Sequence, residues 1–408
     1  MDKRIYFILF GISLLSVILL HYSQNAFFHD SFGYLETSRY LLGIDDYDSG
    51  RVNLFPVLLT PFVNNLFILY LFIFLVCLLS YVYLYKIVDF FAPKNELFNL
   101  LLIVPSYVTL VLTSILQEPV AFLLITMAIF YLLKRKCLLS ILLICLAVFV
   151  RPAMLAMIPG FFLGVLYYEH LFDFVDKNTF FRSLYSEIKL KMKAIIKSGL
   201  IYCAVFAFVF LLYYLIMSLV FPDPFISFKT LSSSWLIDLK FIVGYPVFWF
   251  SLFGVAFAPF VLYSYYRLYK LDKRYFFLFF LLIFVYVFLV WYQANIRYVI
   301  FLIIPICVGF SQISFEHWSK LLKVLLALLI IASTLYPFGM FVYYYDFKTD
   351  HRVIEVSYNP FIYFDSEYKM KQYDYLCSLM LLDNPSEDQS KLLSKLTYIT
   401  KFSNFICK

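Results

Sequence analysis

The sequence predicts an all-α membrane fold. About eleven transmembrane helices carry an amphipathic helix in the first outside loop and a small polar C-terminal domain. Three observations predict it. Apolar residues make up 63% of the chain and charged residues only 14%, where a soluble domain is about 45–50% apolar and about 25% charged. The apolar residues fall in runs long enough to cross about 30 Å of hydrocarbon as helices. Those runs show no apolar/polar alternation, which excludes the strands of a membrane barrel.

The runs are 4–22, 66–86, 97–113, 118–133, 137–150, 153–168, 199–220, 243–266, 275–292, 298–314 and 321–343. The first follows Asp2, Lys3 and Arg4 and ends at His21 and Tyr22 rather than at a small-residue cleavage site. It reads as a retained span, not a cleaved signal. An odd number of spans puts the termini on opposite sides. Nineteen Lys and Arg fall in segments on the N-terminal side and six in loops on the other. The positive-inside rule then places the N-terminus in the cytoplasm and the C-terminus outside. The expected location is the plasma (inner) membrane, as a multi-pass protein. Residues 1–343 form the membrane domain, with 21–54 as the first outside loop, and 344–408 form a small extracytoplasmic domain.

The net charge of +7 sorts by membrane side and is not a nucleic-acid signal. Eleven glycines in the whole chain leave no room for a glycine-rich phosphate cradle as a major theme. Cys77, Cys137, Cys145, Cys203 and Cys307 lie in apolar runs without CxxC spacing and read as small buried hydrophobes. The inside loop 169–198 holds six basic residues. It reads as a plain positive-inside loop or as an amphipathic helix on anionic lipid.

Charges on the outside are few and therefore informative. The first outside loop contains His29, Asp30, Tyr34, Glu36, Arg39, the run Asp46-Tyr47-Asp48 and Arg51. Between Ser31 and Leu42, the residues Phe32, Tyr34, Leu35, Leu41 and Leu42 share one helical face, which predicts a short surface helix. Glu118 precedes Pro119 at the start of the fourth span. Arg151-Pro152 joins the fifth and sixth, and Arg297-Tyr298 begins the tenth. The span interiors carry almost no charge. A coupled transporter usually keeps ionisable groups or broken helices near the midplane. An enzyme acting on a lipid-borne substrate at one interface needs acids and arginines there instead: a carboxylate to deprotonate a hydroxyl, guanidinium groups to hold phosphate.

With these motifs in this order, the chain resembles the GT-C glycosyltransferases. The likeness is greatest to the branch of dolichyl-phosphate-mannose protein mannosyltransferases and lipid A aminoarabinose transferases. It rests on Asp30-Ser-Phe-Gly-Tyr34, Arg51-Val-Asn-Leu-Phe-Pro56, Pro105 followed by Glu118, Arg151-Pro152 and Arg297-Tyr298, and covers about residues 1–315. Ser31 stands where that branch often has a second acid. The resemblance implies inverting transfer of a sugar from a polyprenyl-phosphate donor to a glycan, lipid or protein acceptor. Asp30 would be the general base, and Glu118 would bind the acceptor or support the base. Tyr34, Glu36, Arg39, Arg51, Arg151, Arg297 and Tyr298 would bind substrate. No cofactor is implied beyond a divalent metal that some members use.

Each residue also has a plainer reading. Asp30 suits a helix N-cap, Glu118 a helix dipole, and the arginines suit snorkelling to the interface. Asp46-Tyr47-Asp48 has the form of a nucleotide-sugar metal motif but faces the wrong side for such donors. His21 and His29 match no metal-ligand spacing. In the tail, Ser386 and Gln389 fit a capping box, and Cys377 and Cys407, the only cysteines of the expected outside domain, are expected to pair, since an oxidising compartment permits the bond. Two other functions remain open: a polysaccharide polymerase using lipid-linked sugars, and a lipid or oligosaccharide transporter.

Overall fold

The structure, a computed structural model, describes residues 3–22, 29–44, 52–92, 112, 116–176, 178–221, 266, 300, 301, 303–311, 324 and 328. The regular elements among them are all helical. In chain order they are α1 (Lys3–Tyr22), α2 (His29–Leu41), α3 (Leu54–Leu59), α4 (Leu66–Phe91) and α5 (Gln117–Leu133). There follow α6 (Cys137–Val150), a 3-10 helix (Pro152–Met157), α7 (Ile158–His170), α8 (Phe180–Val220) and α9 (Ile303–Ser311). No strand occurs among the described residues. Among the described residues two helices, α4 over Phe67–Phe91 and α8, are long and apolar enough to cross a membrane. The runs expected at 97–113, 243–266, 275–292 and 321–343 lie outside the described residues apart from single positions. So do the 344–408 domain and its two cysteines.

Local chemistry explains where the helices begin and turn. Asn65 caps α4, its side-chain oxygen accepting from the N–H groups of Phe67 and Ile68 at 3.0 and 3.2 Å. Gly43 ends the α2 segment in the left-handed region at φ 68°. The α5–α6 hairpin closes through Arg135, which takes φ 59°. There the Lys136 N–H reaches back to the Tyr131 carbonyl at 2.9 Å, the closing bond of a Schellman turn. A side chain at that position is strained. Arg135 is held by a two-pronged ion pair with Asp173 and lies over the Phe172 ring. The hairpin is then zipped by the Ser140 hydroxyl, which donates to the Ala128 carbonyl at 2.6 Å.

The segment expected as an inside loop, 169–198, is largely helical. α8 is one helix of 41 residues, about 60 Å long at 1.5 Å per residue. No Gly or Pro interrupts 180–198, and the Glu187–Lys191 pair at 3.7 Å supports the helix at i,i+4 spacing. Upstream of α8, the Asn178 N–H and the Thr179 hydroxyl bond the Asp176 carboxylate and hold its pKa below the ordinary range.

α5 and α6 lie at the centre, and most of their residues are buried. α4 and α7 pack on α5, α3, α7 and α8 pack on α6, and α1 and α9 pack on α4. α8 presents a single inward row, Tyr202, Tyr213 and Met217, with Tyr213 stacked on Phe149 at 4.2 Å. From Leu200 onward its outward side is apolar and exposed, as on α1 and α4. The described cysteines Cys77, Cys137, Cys145 and Cys307 are buried as expected. Cys203 is exposed, because it lies on the outward side of α8.

The two ends of the bundle differ chemically. At one end, Lys86 lies 4.9 Å from the centre of the Tyr83 ring, and Lys134 lies 5.4 Å from that of Phe90. The α5–α6 turn adds Arg135 and Lys136 to this basic end. At the other end of α5, about 25 Å away along the helix, lies Glu118.

Candidate functional site

The site begins with a break in the chain after α6. Proline disfavours a helical conformation in the residue before it, and Arg151 accordingly takes φ −139° and ψ 103°. Its N–H still bonds the Ala147 carbonyl at 2.9 Å, and its own carbonyl accepts from the Met154 N–H at 2.9 Å to open the 3-10 helix. The side chain is thereby fixed at the end of α6 beside the first turn of α5, where Glu118 precedes Pro119.

Arg151 Nη1 lies 3.5 Å from Glu118 Oε1, and both side chains are only 2% exposed. The acid also sits at a helix N-terminus, which favours its negative charge. The Arg151 guanidinium carbon is 6.0 Å from the centre of the Phe301 ring, within reach of a cation–π attraction. Phe301 in turn lies 5.9 Å from Phe122. Two charges removed from water need each other, because each ion alone would bear the full desolvation cost.

The first loop is tied to this pair. Asn53 is buried, and its Oδ1 accepts from the Phe55 N–H at 2.9 Å to cap α3. That bond fixes the amide orientation, so Nδ2 donates to Gln117 Oε1 at 3.3 Å, one residue before Glu118. The buried hydroxyl of Ser38 on α2 lies 2.7 Å from the Tyr34 carbonyl and 2.8 Å from the Pro56 carbonyl, so its one proton serves either acceptor. Tyr34 is buried and packs edge-on against Phe55 at 5.1 Å.

Compared with known proteins, the chain matches no family model, no curated protein and no solved structure.

Of the residues singled out in the sequence, Glu118 and Arg151 are therefore brought into contact. Tyr34 occupies a packing position between α2 and α3. Arg39 is half-buried in the last turn of α2, where a cation complements the helix C-terminus. The backbone of α2 starts at His29, so Asp30 stands within the first turn rather than before the helix. The backbone of Glu36 lies within the same helix. The side chains of Asp30 and Glu36, and all of Arg51, Asp46-Tyr47-Asp48, Arg297 and Tyr298, lie outside the described atoms and residues.

Ser38 and Phe301 join the site without a signal in the sequence, while Asn53, part of the Arg51–Pro56 motif, and Gln117, in the turn before Glu118, join it without a role having been expected of them. Asn53 carries the one signal that was available, an Asn directly before an apolar helical run. Among the described residues no group of three His, Cys, Asp or Glu gathers as metal ligands.

Proposed function

We propose that the chain is a multi-pass membrane glycosyltransferase that moves a sugar from a polyprenyl-phosphate donor to an acceptor hydroxyl. The observation that carries this reading is the buried Glu118–Arg151 pair, linked through Gln117 and Asn53 to the helices of the first loop. The helices of the first loop and the Arg151 guanidinium group lie at the same end of an apolar bundle, which suits a substrate with a lipid tail and a phosphate head.

In the proposed reaction the Asp30 carboxylate takes the proton of the acceptor hydroxyl. The hydroxyl oxygen attacks the anomeric carbon opposite the phosphate, inverting it. The bond from that carbon to the phosphate oxygen breaks, and the phosphate leaves with the electron pair. Arg151 and Arg297 stabilise the charge that develops on it. Glu118 orients Arg151. The proposed orientation has the N-terminus in the cytoplasm and this site at the outer face of the plasma membrane, following the bias of basic residues.

The test is the purified chain in lipid nanodiscs with a panel of polyprenyl-phosphate sugars and soluble and lipid acceptors. The reading expects release of polyprenyl phosphate together with a new glycosidic bond of inverted configuration. Movement of the intact lipid-linked sugar across proteoliposomes, without bond cleavage, would assign the chain to transport.

A further inference from the structure

We propose that the basic half of α8 is a docking row for the headgroups of anionic phospholipids. Arg182, Lys189, Lys193 and Lys197 are all exposed. Their spacing of seven, four and four places them on one stripe of the helix. The only acid between Phe180 and Lys197 is Glu187. It lies on the inward side with Lys191, and each of the two is little more than a fifth exposed. Lys191 is also tied down, its Nζ donating to the His170 carbonyl at 2.9 Å. The four outward cations are thus separated from the acid and basic residue that hold α8 to the bundle.

The same stripe continues upward without a break. Leu200, Phe208, Leu211 and Leu215 follow it along α8 and are 67%, 66%, 55% and 51% exposed. An exposed apolar stripe on a helix that can cross a membrane faces lipid tails. The cations directly below it therefore face the headgroups of the same lipids. Helix geometry grades the contact. Counted from Gly199, where the uninterrupted apolar part begins, Lys197 lies about 3 Å and Lys193 about 9 Å along the axis. Lys189 lies about 15 Å and Arg182 about 25 Å away. A headgroup region is only several Å deep on each side. Lys197 and Lys193 contact phosphates, while Lys189 and Arg182 add attraction from beyond them. The exposed Met192 and Ile196 flank the row and seat it at the interface. This inference rests on α8 being embedded in a bilayer and not on the sugar-transfer reading.

The test compares the full chain in nanodiscs of phosphatidylcholine mixed with phosphatidylglycerol, with retained lipids identified by mass after gentle release. Wild type is expected to retain phosphatidylglycerol selectively. Lys193→Gln with Lys197→Gln should cut that selectivity about 25-fold, or about fivefold per cation at an anionic surface. Arg182→Gln with Lys189→Gln should cut it less, and Lys193→Arg with Lys197→Arg should keep it. Equal retention of both lipids by wild type, or unchanged selectivity in Lys193→Gln/Lys197→Gln, overturns the proposal. So does displacement of phosphatidylglycerol by an acidic peptide, which would assign the row to a protein partner. Wild type stripped from membranes by alkaline carbonate would contradict the embedded reading as well. Lost selectivity in protein that resists the wash would contradict this proposal alone.

Discussion

Glu118 and Arg151 face each other at 3.5 Å with both side chains almost entirely out of water. They come from different helices, so the pair locks the start of α5 to the end of α6. Removing one partner leaves a buried charge, which typically costs about 3–5 kcal/mol. Glu118→Ala and Arg151→Ala should each lower thermal stability in detergent by that order. Glu118→Leu combined with Arg151→Met should recover most of the loss, since an apolar pair of similar volume is often no worse than a buried ion pair. The double variant should still transfer sugar poorly, because the phosphate keeps Arg297 alone and loses the Arg151 guanidinium. Additive losses in the double-mutant cycle would mean the two residues are not coupled.

Asn53 does two jobs that one substitution separates. Asn53→Ser keeps a side-chain oxygen to cap α3 but lacks the donor that reaches Gln117. The expected outcome is stability close to wild type with reduced transfer. Asn53→Ala should lose the cap as well, at about 1 kcal/mol. Melting curves and turnover measured on both variants check this. Equal stability in the Ser and Ala variants would show that the cap contributes nothing.

Several of the described helices were legible in the sequence because their apolar runs are long and uniform. α6 has the expected bounds of 137–150, and α5 starts one residue earlier than expected. For 169–198 the sequence leaves a plain loop and an amphipathic helix both open, because charge density signals a loop whereas the residues of 180–198 are good helix formers without a breaker. The structure shows the helix, continuous with the apolar run at 199–220. The last expected span before it, 153–168, starts as a 3-10 turn, a detail that periodicity does not encode. At the site, Glu118 and Arg151 stood out as rare charges at span ends. Their contact did not, because pairing depends on how α5 and α6 are packed. Ser38 and Asn53 are polar residues with local backbone roles, and only the tertiary fold gives them partners distant in sequence, Pro56 and Gln117.

Arg135 sits where glycine is the usual residue, at φ 59°. Its ion pair with Asp173 is more than half exposed, and such pairs contribute only about 0–1 kcal/mol. The left-handed backbone costs about 1–3 kcal/mol for a residue with a Cβ. The strain should therefore outweigh the ion pair. Arg135→Gly is expected to melt at the wild-type temperature or above it, and Arg135→Ala below it. A Gly variant less stable than the Ala variant would show that the backbone strain is negligible.

The proposed orientation puts the residue 344–408 segment outside. A tag placed after Lys408 should react with a membrane-impermeant label in intact cells. Labelling only after permeabilisation would place the Asp30 loop inside, away from the proposed substrates.

Asp30 is the residue on which the proposed chemistry turns, and its position in the first turn of α2 leaves a helix-stabilising role as the competing reading. Asn keeps the size of Asp and gives up only the charge that suits a helix N-terminus, at about 0.3–1 kcal/mol, but it cannot take up a proton at neutral pH. The most direct measurement is sugar transfer by Asp30→Asn beside wild type, with melting temperature and donor binding recorded on the same samples. The proposed reading predicts a variant that folds and binds donor normally but transfers about 10²–10⁴-fold more slowly. Wild-type turnover in Asp30→Asn would contradict it.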